Sequence, residues 1–97
     1  MTTQDISTKV IPILKSQGVL KAALFGSVVT GEAKKSSDVD ILVKFDSRKS
    51  LLDLVRLQFM LEDKLGRKVD LLTYDSIHPL LKDIILNEQR VIYEKRS

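Results

Sequence analysis

An aspartate pair at the start of a short apolar segment constrains this chain more than any other feature. Asp38 and Asp40 are separated by one valine and followed by the apolar run 41–43, a pattern typical of a β-strand. Alternate strand residues point to the same face, so both carboxylates share one face while Val39 and Ile41 point into a core. Two like charges this close destabilise a fold unless a cation lies between them. Oxygen ligands of this kind favour Mg²⁺ or Mn²⁺ over zinc; the alternative is an exposed strand end that tolerates two aspartates.

A third aspartate lies in a later apolar segment. Asp70 belongs to a strand predicted over residues 67–73. If this strand lies beside the strand with Asp38 and Asp40, three carboxylates meet at one place, as two-metal phosphoryl or nucleotidyl transfer requires. The register of the two strands decides whether they meet, and the sequence leaves that register open. A satisfied core or edge acid is the alternative for Asp70.

A glycine–serine turn follows the first predicted strand, residues 19–25. Gly26 gives the backbone freedom for a sharp turn, and Ser27 is a good N-cap for a short helical turn over residues 28–30. A helix start presents N–H groups and a partial positive charge, which suit a phosphate. Alone, the turn could be a simple strand-to-helix connection, but the aspartates that follow it favour phosphate binding.

These three features together resemble a known family. The Gly26-Ser27 turn, the Asp38-x-Asp40 pair and Asp70 in a later strand resemble the DNA polymerase beta-type nucleotidyltransferase superfamily, and the short chain resembles its minimal nucleotidyltransferase branch. The resemblance runs from residue 19 to residue 93. It implies an α/β (α+β) fold: a small mixed β-sheet of three to four strands flanked by helices. We expect residues 1–97 to form a single domain of this kind.

The resemblance also implies an activity and a partner. It implies a Mg²⁺-dependent nucleotidyltransferase that moves AMP from ATP to a hydroxyl of a protein acceptor, with two metal ions and with Mn²⁺ as an alternative metal. Many minimal members are the antitoxin of a toxin–antitoxin pair whose toxin is an all-helical RNase of the HEPN type, and a tyrosine of that toxin is the implied acceptor. The rival hypothesis is a non-catalytic antitoxin that neutralises its partner by occlusion, through the apolar helix predicted over residues 50–65.

The resemblance assigns roles to individual residues. Asp38, Asp40 and Asp70 are the implied catalytic and metal-binding residues, and Asp70 could also take the proton from the acceptor hydroxyl. Many relatives have a basic residue where this chain has Thr30, so a positive charge near the phosphates is missing from its usual place. Either nearby lysines replace it or triphosphate affinity is weaker. Lys34 and Lys35 are the nearby lysines that could replace the missing charge. Nucleotide binding is predicted for four residues: Gly26, Ser27, Lys35 and Ser37.

Composition sets the remaining limits. The 97 residues are 43% hydrophobic and 30% charged, which is ordinary for a soluble globular domain. The absence of cysteine excludes disulfides and thiolate metal sites, and we expect a cytoplasmic protein. There is no apolar run of membrane-spanning length, and we expect no membrane contact. The net charge of +3 and the five aromatic residues do not favour direct nucleic-acid binding. A homo- or hetero-oligomer is compatible with the sequence.

Periodicity and capping signals predict the order of elements. Two capping boxes, Thr2-x-x-Asp5 and Ser50-x-x-Asp53, mark helix starts. Pro12 predicts a kink in the first helix or a later start near the proline. The crossover from the second strand through the helix to the third strand should be parallel and right-handed. The predicted helices are 2–17, 50–65 and 76–87, and the predicted strands are 19–25, 38–45 and 67–73, with a short strand or packed tail at 90–93.

Overall fold

A computed structural model describes residues 2–26, 29 and 38–95. A four-stranded mixed sheet of order β3-β2-β1-β4 lies at its centre, which confirms the predicted fold class. β1 pairs antiparallel with β2 and β4, and β2 pairs parallel with β3. In this part of the chain no helix is long and apolar enough to cross a membrane. The elements are α1 (Thr3–Ser16), β1 (Val19–Phe25), β2 (Val39–Phe45), α2 (Leu51–Leu65), β3 (Val69–Thr73), a 3-10 turn (Tyr74–Ser76), α3 (Pro79–Glu88) and β4 (Arg90–Glu94).

Both predicted capping boxes are present. The Thr2 hydroxyl accepts a hydrogen bond from the Asp5 N–H at 3.1 Å, and the Asp5 carboxylate accepts one from the Thr2 N–H. Ser50 and Asp53 form the same reciprocal pair at the start of α2. Two N–H groups that would otherwise lack a partner are satisfied at each helix start, which explains why sequence placed these starts correctly.

The first helix runs through Pro12, so the predicted later start is wrong. A proline inside a helix removes one backbone hydrogen bond and crowds the preceding turn. Residues on both sides of it are fully buried in the core, and their burial outweighs that cost. These residues are Ile6, Val10 and Leu14.

Three other predicted boundaries are wrong. Asp38 lies just before β2, and β3 begins at Val69, two residues later than predicted. Ser76 belongs to the 3-10 turn, and α3 begins at Pro79. A residue before proline disfavours the helical conformation, so the helix cannot run through His78 into the proline. His78 instead caps α3, because its Nδ1 accepts a hydrogen bond from the Leu80 N–H at 3.1 Å.

The two faces of the sheet are packed differently. Helices α1 and α2 cover one face and complete the main hydrophobic core there. The other face carries a small cluster, in which Ile85 of α3 packs against the buried residues Ala23, Leu42 and Ile77. We call this side of the sheet the α3 face. No residue of α3 is itself buried, so this face is only partly covered by the described residues.

Candidate active site

The register of β2 and β3 places two of the predicted aspartates side by side. Asp40 pairs with Asp70 in the parallel ladder, and Asp40 pairs with Phe25 of β1 on its other side. Directly paired residues on neighbouring strands point to the same face. Phe25 belongs to the small cluster of the α3 face. Asp40 and Asp70 therefore project from the α3 face, on the side of the sheet away from the main core.

Asp38 lies at the entrance to β2. The N–H of the next residue, Val39, donates to the carbonyl of Lys68 at 2.9 Å, which fixes this entrance against the start of β3. Val39 is fully buried in the main core, whereas Asp38 is exposed. The three aspartates thus lie at the amino-terminal ends of two adjacent parallel strands. Asp40 is half-buried, and Asp70 is exposed.

The electrostatics of Asp40 show that negative charge is concentrated here. Burial raises the pKa of Asp40, and the carboxylates of Asp70 and Asp38 raise this pKa further, in that order. Burial disfavours a charged carboxylate, and each neighbouring negative charge disfavours it again. A cation bound at this position would relieve both penalties.

Gly26 lies directly against Asp40. Its backbone is left-handed, with φ of +73°, and a Cβ at this position would overlap Oδ2 of Asp40. The carbonyl of Gly26 accepts a hydrogen bond from the Val29 N–H at 3.0 Å, so the chain turns sharply here. The sequence argument assigned Gly26 to phosphate binding and missed this second role, which is to leave room for the Asp40 carboxylate. If β1 and β2 had been predicted to pair antiparallel, Gly26 at the end of β1 would have been expected to lie next to Asp40 at the start of β2.

The remaining predicted nucleotide-binding residues lie outside the described residues. These are Ser27, Lys35 and Ser37. Thr30 and Lys34, which bear on the missing basic residue, also lie outside them. Of the helical turn predicted over residues 28–30, only Val29 is described, and it is helical. The site can therefore be built here from four residues: Gly26, Asp38, Asp40 and Asp70.

The chemistry of these residues fits a divalent cation. Carboxylate oxygens are the ligands that hard cations prefer, and the repulsion at Asp40 is the kind that such an ion removes. Across residues 2–26, 29 and 38–95, however, no three acidic, histidine or cysteine side chains are positioned as a ready metal centre. The backbone register sets Asp40 and Asp70 next to each other, as two of the oxygen donors that such an ion would need.

The raised pKa of Asp40 predicts a pH-dependent stability effect in the metal-free protein. A carboxyl group with a higher pKa in the folded than in the unfolded chain loses stability when it ionises. We expect Asp40→Asn to stabilise the fold most at neutral pH. This advantage should shrink as the pH falls through the raised pKa toward the ordinary value of 3.8. Urea unfolding of the wild type and of Asp40→Asn in EDTA, at several pH values between about 4 and about 8, measures this difference in the free energy of unfolding.

Two other aspartates do not disturb that comparison. Backbone and side-chain hydrogen bonds from Thr2 lower the pKa of Asp5, and those from Ser50 lower the pKa of Asp53. Their stabilisation is present above their unfolded pKa and is lost as the pH falls through their folded pKa. Both groups titrate equally in the wild type and in Asp40→Asn, so they cancel in the difference. An advantage that grows toward acidic pH would contradict the expected sign.

Comparison with known proteins shows the family of this chain. Residues 8–97 match the family model described as polymerase beta, nucleotidyltransferase. The chain belongs to this nucleotidyltransferase family. Nucleotidyltransferases of this family normally use a divalent metal, in keeping with the carboxylates at the paired ends of β2 and β3.

Three proteins illustrate what this nucleotidyltransferase is similar to. A candidate protein adenylyltransferase of Methanocaldococcus jannaschii is 59% identical over 88 residues, which cover 91% of this chain and 95% of the relative. A crystal structure of a toxin–antitoxin pair with AMP-PNP contains a chain of the same fold, with a TM-score of 0.82, 23% identity and coverage of 93% of this chain and 74% of that chain. A structure of a tri-AMPylated HEPN toxin of Shewanella oneidensis in complex with an MNT antitoxin also contains a chain of the same fold. Its TM-score is 0.75, its identity is 21%, and the match covers 95% of this chain and 72% of that chain.

Proposed function

We propose that this nucleotidyltransferase transfers AMP from ATP to a tyrosine hydroxyl of a HEPN-type toxin and thereby acts as its antitoxin. The observation that carries this proposal is the pairing of Asp40 with Asp70 on the α3 face, next to the Gly26 turn. The Methanocaldococcus jannaschii relative supports protein adenylylation, and the two structures support the nucleotide and the partner. A cytoplasmic location, where ATP is abundant, fits this role.

The three aspartates share one part in the transfer, and Asp70 has a second. Asp38, Asp40 and Asp70 would hold two Mg²⁺ ions, or Mn²⁺ in their place, whose charge stabilises the negative charge on the phosphates. The acceptor oxygen attacks the α-phosphorus, and the bond from the α-phosphorus to the oxygen that bridges to the β-phosphate breaks. Pyrophosphate leaves with the electron pair of that bond. Asp70, which is exposed, takes the proton from the attacking hydroxyl.

The turn after β1 would hold the nucleotide phosphates. Backbone N–H groups at Gly26 and Ser27 bind the phosphate oxygens, as the start of a helix does in other phosphate sites. Lys35 and Ser37, which lie outside the described residues, are predicted from the sequence alone to donate further hydrogen bonds to the nucleotide.

A protein acceptor suits the shape of this site. Asp38 and Asp70 are both exposed, and α3 contributes no buried residue to the face they share. The described residues therefore offer few walls to orient a small acceptor. A partner protein would bring its own surface and complete the acceptor pocket.

ATP labelled at different phosphates distinguishes transfer of AMP from transfer of the γ-phosphoryl group. The protein is incubated with Mg²⁺ and its HEPN-type partner, with ATP labelled at either the α- or the γ-phosphate. Transfer of AMP predicts that α-label enters the partner, that γ-label does not, and that EDTA abolishes the incorporation. Incorporation of γ-label would show phosphoryl transfer instead, and the absence of both labels in a formed complex would reject the enzymatic role.

A non-catalytic antitoxin is the second candidate function. Three apolar side chains of α2 are largely exposed on the outer side of the main core, and they could bind a partner without chemistry: Leu51, Leu52 and Phe59. Under this alternative an Asp40→Asn variant still protects cells from the toxin. Under the enzymatic proposal the same variant binds the toxin but no longer protects.

A further inference from the structure

Helix α3 carries an apolar stripe that points to solvent. Leu80 is 82% exposed, Ile84 is 55% exposed and Leu81 is 51% exposed. Ile84 follows Leu80 by four residues and Leu81 by three, so it neighbours both on the helix surface, and the three side chains form one continuous strip, which we call the α3 stripe. The helix contacts the sheet through Ile85 at the edge of the stripe. An apolar strip of this kind on a helix marks an interaction surface.

The α3 stripe lies on the same face as the aspartates. Ile85 packs in one cluster with Leu42 of β2. Leu42 follows Asp40 by two residues, so its side chain points to the same side of the strand, about 7 Å further along it. The opposite face is filled by α1 and α2. An acceptor that reaches Asp40 must therefore approach from the side where α3 stands.

We propose that the α3 stripe is the docking surface for the protein acceptor, a helical partner that packs an apolar helix face against α3. This inference rests on the proposed function, because the occupant is the protein that receives AMP. Three large aliphatic side chains in one strip suit the packing of one helix against another. A second copy of this chain is the less suitable occupant, since it would cover the face that the acceptor has to reach.

Helix α2 carries the rival docking surface, the one that the non-catalytic alternative would use, on the opposite side of the sheet. Leu52 and Phe59 are 67% and 63% exposed, seven residues apart on one side of α2. They are as apolar and as exposed as the α3 stripe, but they lie over the main core and not over the aspartates. If the acceptor docks on α3, changes in the α3 stripe should weaken partner binding and AMP transfer, and changes at Leu52 and Phe59 should not.

Two double variants test the docking surface: Leu80→Glu/Ile84→Glu on α3, and Leu52→Glu/Phe59→Glu on α2. The Kd for the HEPN-type partner is measured by calorimetry, and kcat/KM is measured by transfer of α-label. We expect the α3 variant to weaken both at least about tenfold, as loss of central apolar contacts does in other interfaces. The α2 variant should stay within about twofold of the wild type. Equal losses in both variants, or no loss in the α3 variant, would overturn the proposal.

Four further readouts keep this outcome interpretable. Mn²⁺ and ATP binding by the α3 variant should equal that of the wild type, because none of its changes touches the aspartates. Leu80→Ser alone, at the most exposed position, should give a smaller loss in the same direction if the double variant folds poorly. If the wild type binds the partner without transferring label, the proposed function fails while the Kd values still test the docking surface. A wild-type dimer that the α3 variant dissociates would assign the stripe to a second copy and reject the proposal.

Discussion

Asp40→Asn is expected to lower AMP transfer by about 10³-fold or more, because the substitution removes a metal-binding oxygen at the centre of the site. The carboxylates of Asp70 and Asp38 both raise the pKa of Asp40, so the three negative charges converge at this residue. Asparagine has nearly the same shape and keeps one carbonyl oxygen, so we expect the fold to persist. Transfer of α-label to the partner at saturating Mg²⁺ measures the effect.

Asp63→Asn is the matched control for this change. Asp63 is exposed on α2, away from the α3 face, and the substitution removes the same charge. We expect transfer within about twofold of the wild type, since a single exposed charge changes little at a distance. An Asp40→Asn protein with wild-type transfer would show that the aspartates at β2 and β3 are not the catalytic centre.

Gly26→Ala is expected to reduce transfer by about 10²-fold, because its Cβ would displace the Asp40 carboxylate. The left-handed backbone at position 26 adds a cost of about 1–2 kcal/mol in the free energy of unfolding for any residue with a Cβ. The two effects separate in a pair of measurements. Transfer of α-label reports the displaced carboxylate, and urea unfolding reports the backbone strain.

Gly66→Ala isolates the backbone effect. Gly66 ends α2 with φ of +67°, nearly the same left-handed conformation, but a Cβ there would meet no atom within 4 Å. We expect the same loss of about 1–2 kcal/mol in stability, with transfer unchanged once the protein is folded. If both alanine variants lost transfer to the same degree, the contact between Gly26 and Asp40 would not explain the effect.

Local signals in the sequence were sufficient for most elements. The capping pairs Thr2–Asp5 and Ser50–Asp53 fix helix starts through hydrogen bonds between residues three apart, so no tertiary information is needed. The turn glycine Gly66 ended its helix as predicted, for a similarly local reason. The course of α1 through Pro12 was not predictable in this way, because burial against other elements decided it.

The candidate site required tertiary information that the sequence does not contain. Alternation alone placed Asp40 on one face of its strand, but its pairing with Asp70 depends on the register between β2 and β3. The tight approach of Gly26 to Asp40 depends likewise on how β1 meets β2. The exposure of the apolar side chains of the last helix was not predictable either, since periodicity does not show what covers a helix.

Mn²⁺ binding followed by electron paramagnetic resonance is the most direct test of the central claim, that Asp38, Asp40 and Asp70 hold a divalent metal on the α3 face. Mn²⁺ is titrated into the protein with ATP present, and the wild type is compared with Asp40→Asn and with the Asp63→Asn control. We predict that Asp40→Asn weakens Mn²⁺ binding at least about tenfold, while Asp63→Asn leaves it unchanged. Equal Mn²⁺ affinity in all three proteins would contradict the claim and place the metal elsewhere.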